Sequence, residues 1–186
     1  MLLALGPLLL DTTVRTVVVG VLDGTGPASI AGADAVWLRH PTVDQVVATS
    51  RATGLPVGVT VDDVAALDDL VAAGAVAIEC DSPGAIDVAL DRQVTMWCPG
   101  PQADRATEAG VPAERVVREP GAAGDATSVG VTVTGHGPRT WGEAVRAGHG
   151  GARVVRTADV RSLRRVVTVM DRLTVARTAT GRGVAP

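Results

Sequence analysis

The 186-residue chain has no lysine, no asparagine, no phenylalanine and no tyrosine. The codon usage of a GC-rich genome accounts for that set of absences, and the chemical consequence holds whatever the origin. Without lysine there is no ε-amino base, Schiff-base former or lysine clamp for a phosphate. Without asparagine no such carboxamide can ligate a metal or read the edge of a heterocycle. The only aromatic rings are Trp37, Trp97 and Trp141, so a core has to be assembled from Val, Ala and Leu. Two cysteines, Cys80 and Cys98, do not make a disulfide framework, and no paired CxxC or HxxxH spacing points to zinc. They read as buried thiols. Basic excess is lacking as well: a net charge of −3 and a pI near 5.5 give no electrostatic footprint for nucleic acid. Residues 1–10, MLLALGPLLL, are apolar but have no basic n-region, are too short to span a bilayer and are interrupted by Gly6 and Pro7. They read as a packed edge segment of a cytoplasmic protein that does not enter a membrane.

What is present is apolar material in short β-branched runs. Hydrophobic residues make up 46% of the chain and the mean hydropathy is +0.27, enough for one globular domain with its own core. Eight strand candidates cover 16–22, 35–38, 56–61, 76–79, 94–98, 115–118, 129–134 and 153–156. A helix over 42–52 opens with a capping box of Thr42 and Gln45 and stops at Gly54. Another over 62–73 buries Val64, Leu67, Leu70 and Val71 on one face. Shorter helices are expected over 84–90, 102–109 and 140–147, the last capped by Thr140 and Glu143. The stretches 23–33 and 119–128 are too short and Gly-rich for full helices. Near-continuous apolar strands alternating with helices imply a parallel sheet, and eight of them imply a closed (β/α)8 TIM-like barrel. Such barrels usually take about 250 residues, so this one is trimmed, with some helices short or missing. The alternative is an open doubly wound sheet with residues 20–25, GVLDGT, as a dinucleotide loop, but GxGxxG is absent. The barrel domain is expected over 1–173, followed by a flexible tail over 174–186.

The most informative stretch is 151–171, GARVVRTADVRSLRRVVTVMD. Residues 153–156 form a strand, Thr157 and Ala158 turn the chain, and Asp159 caps a helix on which Val160, Leu163, Val167, Met170 and Leu173 share a face. A helix N-terminus at a strand end can bind an anion, and Arg156 beside it adds a forked cation. The competing reading is that Arg156 pairs with a carboxylate. Asp62, Asp63, Asp68 and Asp69 read as a solvated acidic face, and His40, His136 and His149 lie in Gly- or Pro-rich loops without a paired nucleophile.

From about Leu8 to Leu173 the sequence resembles the dihydropteroate synthase family, the pterin-binding barrels that join a pterin diphosphate to p-aminobenzoate in folate synthesis. Residues 9–25, LLDTTVRTVVVGVLDGT, resemble the family's opening strand, MGVLNVT; 32–38, GADAVWL, resemble GADIIDI. Residues 56–75 resemble PISVDTYRPEVARAALEAGA without a gap. Residues 109–121 resemble the run before the DPG loop, and 151–160 resemble GARIVRVHDV. All five occur in the family's order.

The resemblance implies substrate-binding positions, and the chain departs from the family at most of them. The first-loop Asn becomes Asp23, which could still hold magnesium, and Thr25 is retained. The second-strand Asp becomes Trp37, and its loop is cut to Arg39, His40 and Pro41. The pterin-reading Asp of SVDT becomes Thr60; the Asn and Asp of IND become Glu79 and Cys80; DPG becomes Glu119, Pro120 and Gly121. The SRK lysine has no counterpart, and RVHDV keeps Arg156 but replaces its His with Ala158. Three readings stay open. One is a degenerate homologue, a pseudoenzyme with an interaction or regulatory role linked to folate synthesis, forming a homodimer or a heteromer with a complete synthase through the helix after Arg156. Another is a binder of a pterin or other anionic small molecule, its pocket re-lined by Asp23, Trp37, Glu79, Cys80, Cys98, Glu119 and Arg156. The third is an active synthase resting on Thr25, Glu119 and Arg156.

Overall fold

The computed structural model describes residues 2–13, 15–22, 30–119, 130–133 and 137–181. The apolar N-terminus folds into a two-stranded antiparallel hairpin, β1 (Leu2–Leu5) and β2 (Leu8–Asp11), turning at Gly6 with φ +59°. Eight parallel strands follow: β3 (Val17–Leu22), β4 (Ala35–Arg39), β5 (Val57–Thr60), β6 (Ala75–Glu79), β7 (Thr95–Pro99), β8 (Val116–Glu119), β9 (Gly130–Val133) and β10 (Val154–Thr157). Their spatial order is β8-β7-β6-β5-β4-β3-β10-β9. The two ends of this sheet, β8 and β9, approach each other, and the Thr132 hydroxyl donates to Glu119 Oε1 across the seam at 3.1 Å. The sheet is therefore a nearly closed (β/α)8 barrel, and the open doubly wound alternative does not hold.

Side-chain alternation separates two cores. Val36, Val59, Ile78 and Met96 face outward into the helix layer, whereas Val19, Ala35, Trp37, Ala77, Trp97, Val117 and Val154 point into the barrel. Both faces are apolar, which is why these strands read as continuous hydrophobic runs. Leu3 and Leu5 of the hairpin join the interior cluster, and Thr95 Oγ1 donates to the Ala4 carbonyl. The opening segment thus seals one end of the barrel.

Six α-helices accompany the eight strands among the described residues. α1 (Val43–Thr53) has the expected capping box, with Gln45 N donating to Thr42 Oγ1 and Thr42 N to Gln45 Oε1, and it ends at a left-handed Gly54. The expected helix over 62–73 is split. Asp63 accepts from Ala65 N and caps a 3₁₀ turn over Val64–Ala66, and only Leu67–Ala72 is α-helical (α2). α3 (Ala85–Arg92) and α4 (Gly100–Glu108) follow β6 and β7. α5 (Pro138–His149) begins earlier than expected, because Pro138 sits in its first turn, where a missing N–H costs nothing. Thr140 is consequently buried inside the helix and does not cap it, so the Thr140–Glu143 capping box is not formed. α6 (Val160–Gly181) continues well beyond Leu173, through most of the stretch read as a tail. The Gly-rich stretches 23–29 and 120–129 lie outside the described residues.

Room for the two interior tryptophans comes from glycine. A Cβ on Gly58 would lie 2.2 Å from the Trp37 ring, and one on Gly130 would lie 2.9 Å from Trp97 and 2.3 Å from Val117. Gly58→Ala should therefore destabilise the protein by about 1–3 kcal/mol through overpacking. Gly142→Ala, in helix α5 with nothing within 4 Å of the added Cβ, should stabilise it by about 0.5–1 kcal/mol. Urea unfolding of both variants checks the pair; equal effects at the two sites would contradict this account of the barrel interior.

Candidate functional site: a paired polar layer in the barrel mouth

At the C-terminal end of the strands, where barrel enzymes place their sites, seven strands each send one polar or aromatic side chain inward. Arg156 on β10 is the centre. Its side chain is only 5% exposed, and Nη1 and Nη2 reach Glu79 Oε2 and Oε1 on β6 at 2.6 and 3.1 Å. Nη2 also lies 3.5 Å from Glu119 Oε1 on β8, and Nε donates to Thr132 Oγ1 on β9 at 3.0 Å. The central guanidinium carbon lies over both interior indoles, 4.9 Å from the Trp37 centroid and 4.4 Å from that of Trp97. The two rings meet each other edge to face at 5.5 Å.

Each indole is tied in turn. Trp37 Nε1 donates to Thr60 Oγ1 at 2.7 Å, and that hydroxyl donates to Glu79 Oε2 at 2.5 Å. Trp97 Nε1 donates to Glu119 Oε1 at 2.8 Å. Every polar group named so far is thereby paired inside the layer. Beneath it lies an apolar void of about 10 Å³ lined by Leu3, Ala35, Gly58, Ala77 and Val154, room for about one water. Burial opposes the charge on Glu79. The hydrogen bonds and charge of Arg156, helped by Thr60 and by the charge of Arg39, outweigh it and hold the carboxyl below its ordinary range.

Four of the expected site residues, Thr60, Glu79, Glu119 and Arg156, therefore come together, bonded to one another and to the tryptophans. Asp23 and Thr25 lie outside the described residues, and the magnesium expectation lies there with Asp23. Among the described residues no cluster of three His, Cys, Asp or Glu side chains could hold a metal. Cys80 and Cys98 do not line this layer. They face outward into the helix-side core, where burial raises the Cys80 thiol and pushes that of Cys98 up to about 12. The helix N-terminus beside Arg156 is also occupied, since Asp159 Oδ1 accepts from Ser162 N at 3.3 Å. Arg156 points into the barrel, and of its two readings the carboxylate pairing is the one found. Sequence reasoning missed Trp97 and Thr132. Period-two alternation carries that signal: Trp97 shares the inward parity of Thr95 and is opposite to Cys98.

Arg156→Met should cost about 1–3 kcal/mol, because it leaves two partly buried carboxylates without the cation they share. The pH dependence follows from Glu79. Its folded-state pKa is lowered, so its contribution is complete above the unfolded value and is lost as pH falls through the folded one. Wild-type stability should fall on acidification below the ordinary carboxylate range. In Arg156→Met only the Thr60 hydrogen bond and the charge of Arg39 still oppose burial at Glu79, and this loss should shrink. Parallel pH profiles of urea unfolding for the two proteins would refute the assignment.

No protein-family profile and no curated protein matches the sequence. Solved structures do match in shape. Dihydropteroate synthase from Burkholderia cenocepacia, complexed with 7,8-dihydropteroate, superposes with a TM-score of 0.74 over 96% of this chain and 98% of that one, at 19% identity. The Yersinia pestis enzyme, with a pterine-sulfa conjugate, gives 0.75 over 95% and 99%, at 16% identity. The Xanthomonas albilineans enzyme, in complex with 7,8-dihydropteroate, gives 0.70 over 93% and 98%, at 19% identity. The chain thus carries the barrel fold of the dihydropteroate synthases.

Proposed function

We propose that this protein is a catalytically degenerate relative of dihydropteroate synthase, a pseudoenzyme whose barrel does not receive a pterin diphosphate and which acts through protein contacts linked to folate synthesis. One observation carries the reading: Arg156, Glu79, Glu119, Trp37 and Trp97 satisfy one another in the mouth of the barrel. The aminopyrimidinone edge of a pterin is a guanidine-like donor that suits a carboxylate. Here Glu79 already holds a guanidinium on both oxygens. A flat ring entering the layer would have to displace an indole or the arginine. Taking the buried Arg156 off its partly exposed carboxylates costs about 1–3 kcal/mol, roughly one to two orders of magnitude in affinity.

Electrostatics add to this. The cation that the resemblance assigns to an anionic substrate has two carboxylates against it, so little positive potential is left for a leaving diphosphate. The binder and transferase readings both require a free Arg156 and an open mouth, and have less support. For the contact role, the support is that α6 leaves Val169, Leu173 and Val175 more than half exposed, apolar surface that the barrel does not use. A complete synthase or a second copy of the chain is the partner this reading implies.

Isothermal titration of a pterin diphosphate with magnesium should give no saturable heat up to millimolar concentration, and no condensation with p-aminobenzoate should follow. Micromolar binding, or turnover at an ordinary enzyme rate, would overturn the proposal.

A further inference from the structure

The helix layer carries its charge unevenly. In the barrel order, β6 and β10 are four strands apart in either direction, and so lie on opposite sides of the molecule. The helices flanking β6 are α2 and α3, which expose Asp68, Asp69, Asp87 and Asp91, with Asp81 in the loop between them. Arg92 is the only basic residue in 62–92, and it is bound to Asp68 at 2.9 Å. The helices flanking β10 are α5 and α6, which expose Arg139, Arg146, Arg161, Arg165 and Arg172. Acidic residues on that side are fewer than the arginines: Glu143 lies 3.5 Å from Arg139, while Asp171 and Asp159 keep their charge and accept from Thr16 and from the Ser162 N–H. Among the described residues, Arg146, Arg161, Arg165 and Arg172 face no carboxylate, and neither Asp69, Asp81, Asp87 nor Asp91 faces a cation. The overall charge of −3 conceals this polarity.

We infer that the chain associates with a second copy of itself head to tail, the acidic α2–α3 face of one protomer against the basic α5–α6 face of the next. The two faces are complementary in sign and similar in charge, and both belong to the same chain, so the partner is always at hand. Because the two faces are different and diametrically opposed, the contact is heterologous and repeats, giving short linear chains and not a closed two-fold dimer. Exposed Val145 on α5 and Val169 on α6 supply apolar contact within the basic face. Charge pairing of this kind steers association and weakens steeply with salt, since the screening length falls from about 10 Å at 0.1 M to about 3 Å at 1 M. This inference rests on the distribution of charge and not on the filled barrel mouth, so it can fail while the pseudoenzyme reading stands, and the reverse.

Sedimentation velocity of the full chain at 20 mM and at 500 mM NaCl tests it, with circular dichroism confirming that each variant is folded. The wild type should show concentration-dependent mass growth beyond a dimer at low salt and the monomer mass at high salt. Arg146→Glu/Arg161→Glu/Arg165→Glu and Asp69→Arg/Asp87→Arg/Asp91→Arg should each remain monomeric at low salt, and an equimolar mixture of the two should associate again. A wild-type monomer at both salt concentrations would overturn the inference. So would an assembly that survives high salt and both sets of reversals, which would indicate an apolar two-fold contact through α6. Loss of assembly in the arginine variant alone would do the same, by assigning the basic face to a different anionic partner.

Discussion

The interior of the barrel mouth is organised around the guanidinium of Arg156. It is a buried charge, and a buried charge is tolerated only when paired and hydrogen-bonded. Glu79, Glu119 and Thr132 supply the partners, and Trp37 and Trp97 supply the π faces. Each of these requirements reaches further into the fold. The tryptophans need glycine at 58 and 130, small residues in the layer below, and a hairpin to seal the far end. A barrel of only 186 residues can thereby close over a core almost without phenylalanine-sized side chains, two indoles filling what many smaller residues would otherwise have to fill.

Several positions at which the sequence differs from the synthase pattern are in contact with one another. Trp37, Thr60, Glu79 and Glu119 stand where the resemblance places substrate-binding side chains, and each is hydrogen-bonded to another member of the layer. Taken singly, the changes look like scattered losses from an active site. Taken together, they form one hydrogen-bonded polar layer. Arg156 alone is therefore weak evidence for phosphate binding, because its neighbours are two carboxylates and two indole faces.

Much of the fold was legible in the sequence. All eight barrel strands could be read from apolar runs bounded by Gly and Pro, since strands buried on both faces leave a strong local signal. The capping box at Thr42 and the cap at Asp159 were legible for the same local reason. Asp63 was harder, because a side chain that caps a 3₁₀ turn looks like one that starts an α-helix. The Thr140–Glu143 pair misled because Pro138, two residues earlier, is the stronger start signal. Site residues could be named one by one, but their mutual pairing could not. Arg156 and Glu79 are 77 positions apart, and only barrel closure brings them within hydrogen-bonding distance. The inward parity of Trp97 was available in the alternation of β7 but was outweighed by the cysteine next to it.

Arg156 and its partners fill the barrel interior at the ends of the strands with the protein's own side chains. Hydrogen exchange of the tryptophan indole N–H groups, followed by nuclear magnetic resonance with and without a pterin diphosphate, tests it most directly. The Trp37 and Trp97 N–H groups, bonded to Thr60 and Glu119, should exchange only through global unfolding and keep their chemical shifts when the pterin is added. Rapid exchange at both positions, or a shift of either resonance that saturates with pterin, would show that the mouth opens and contradict the account.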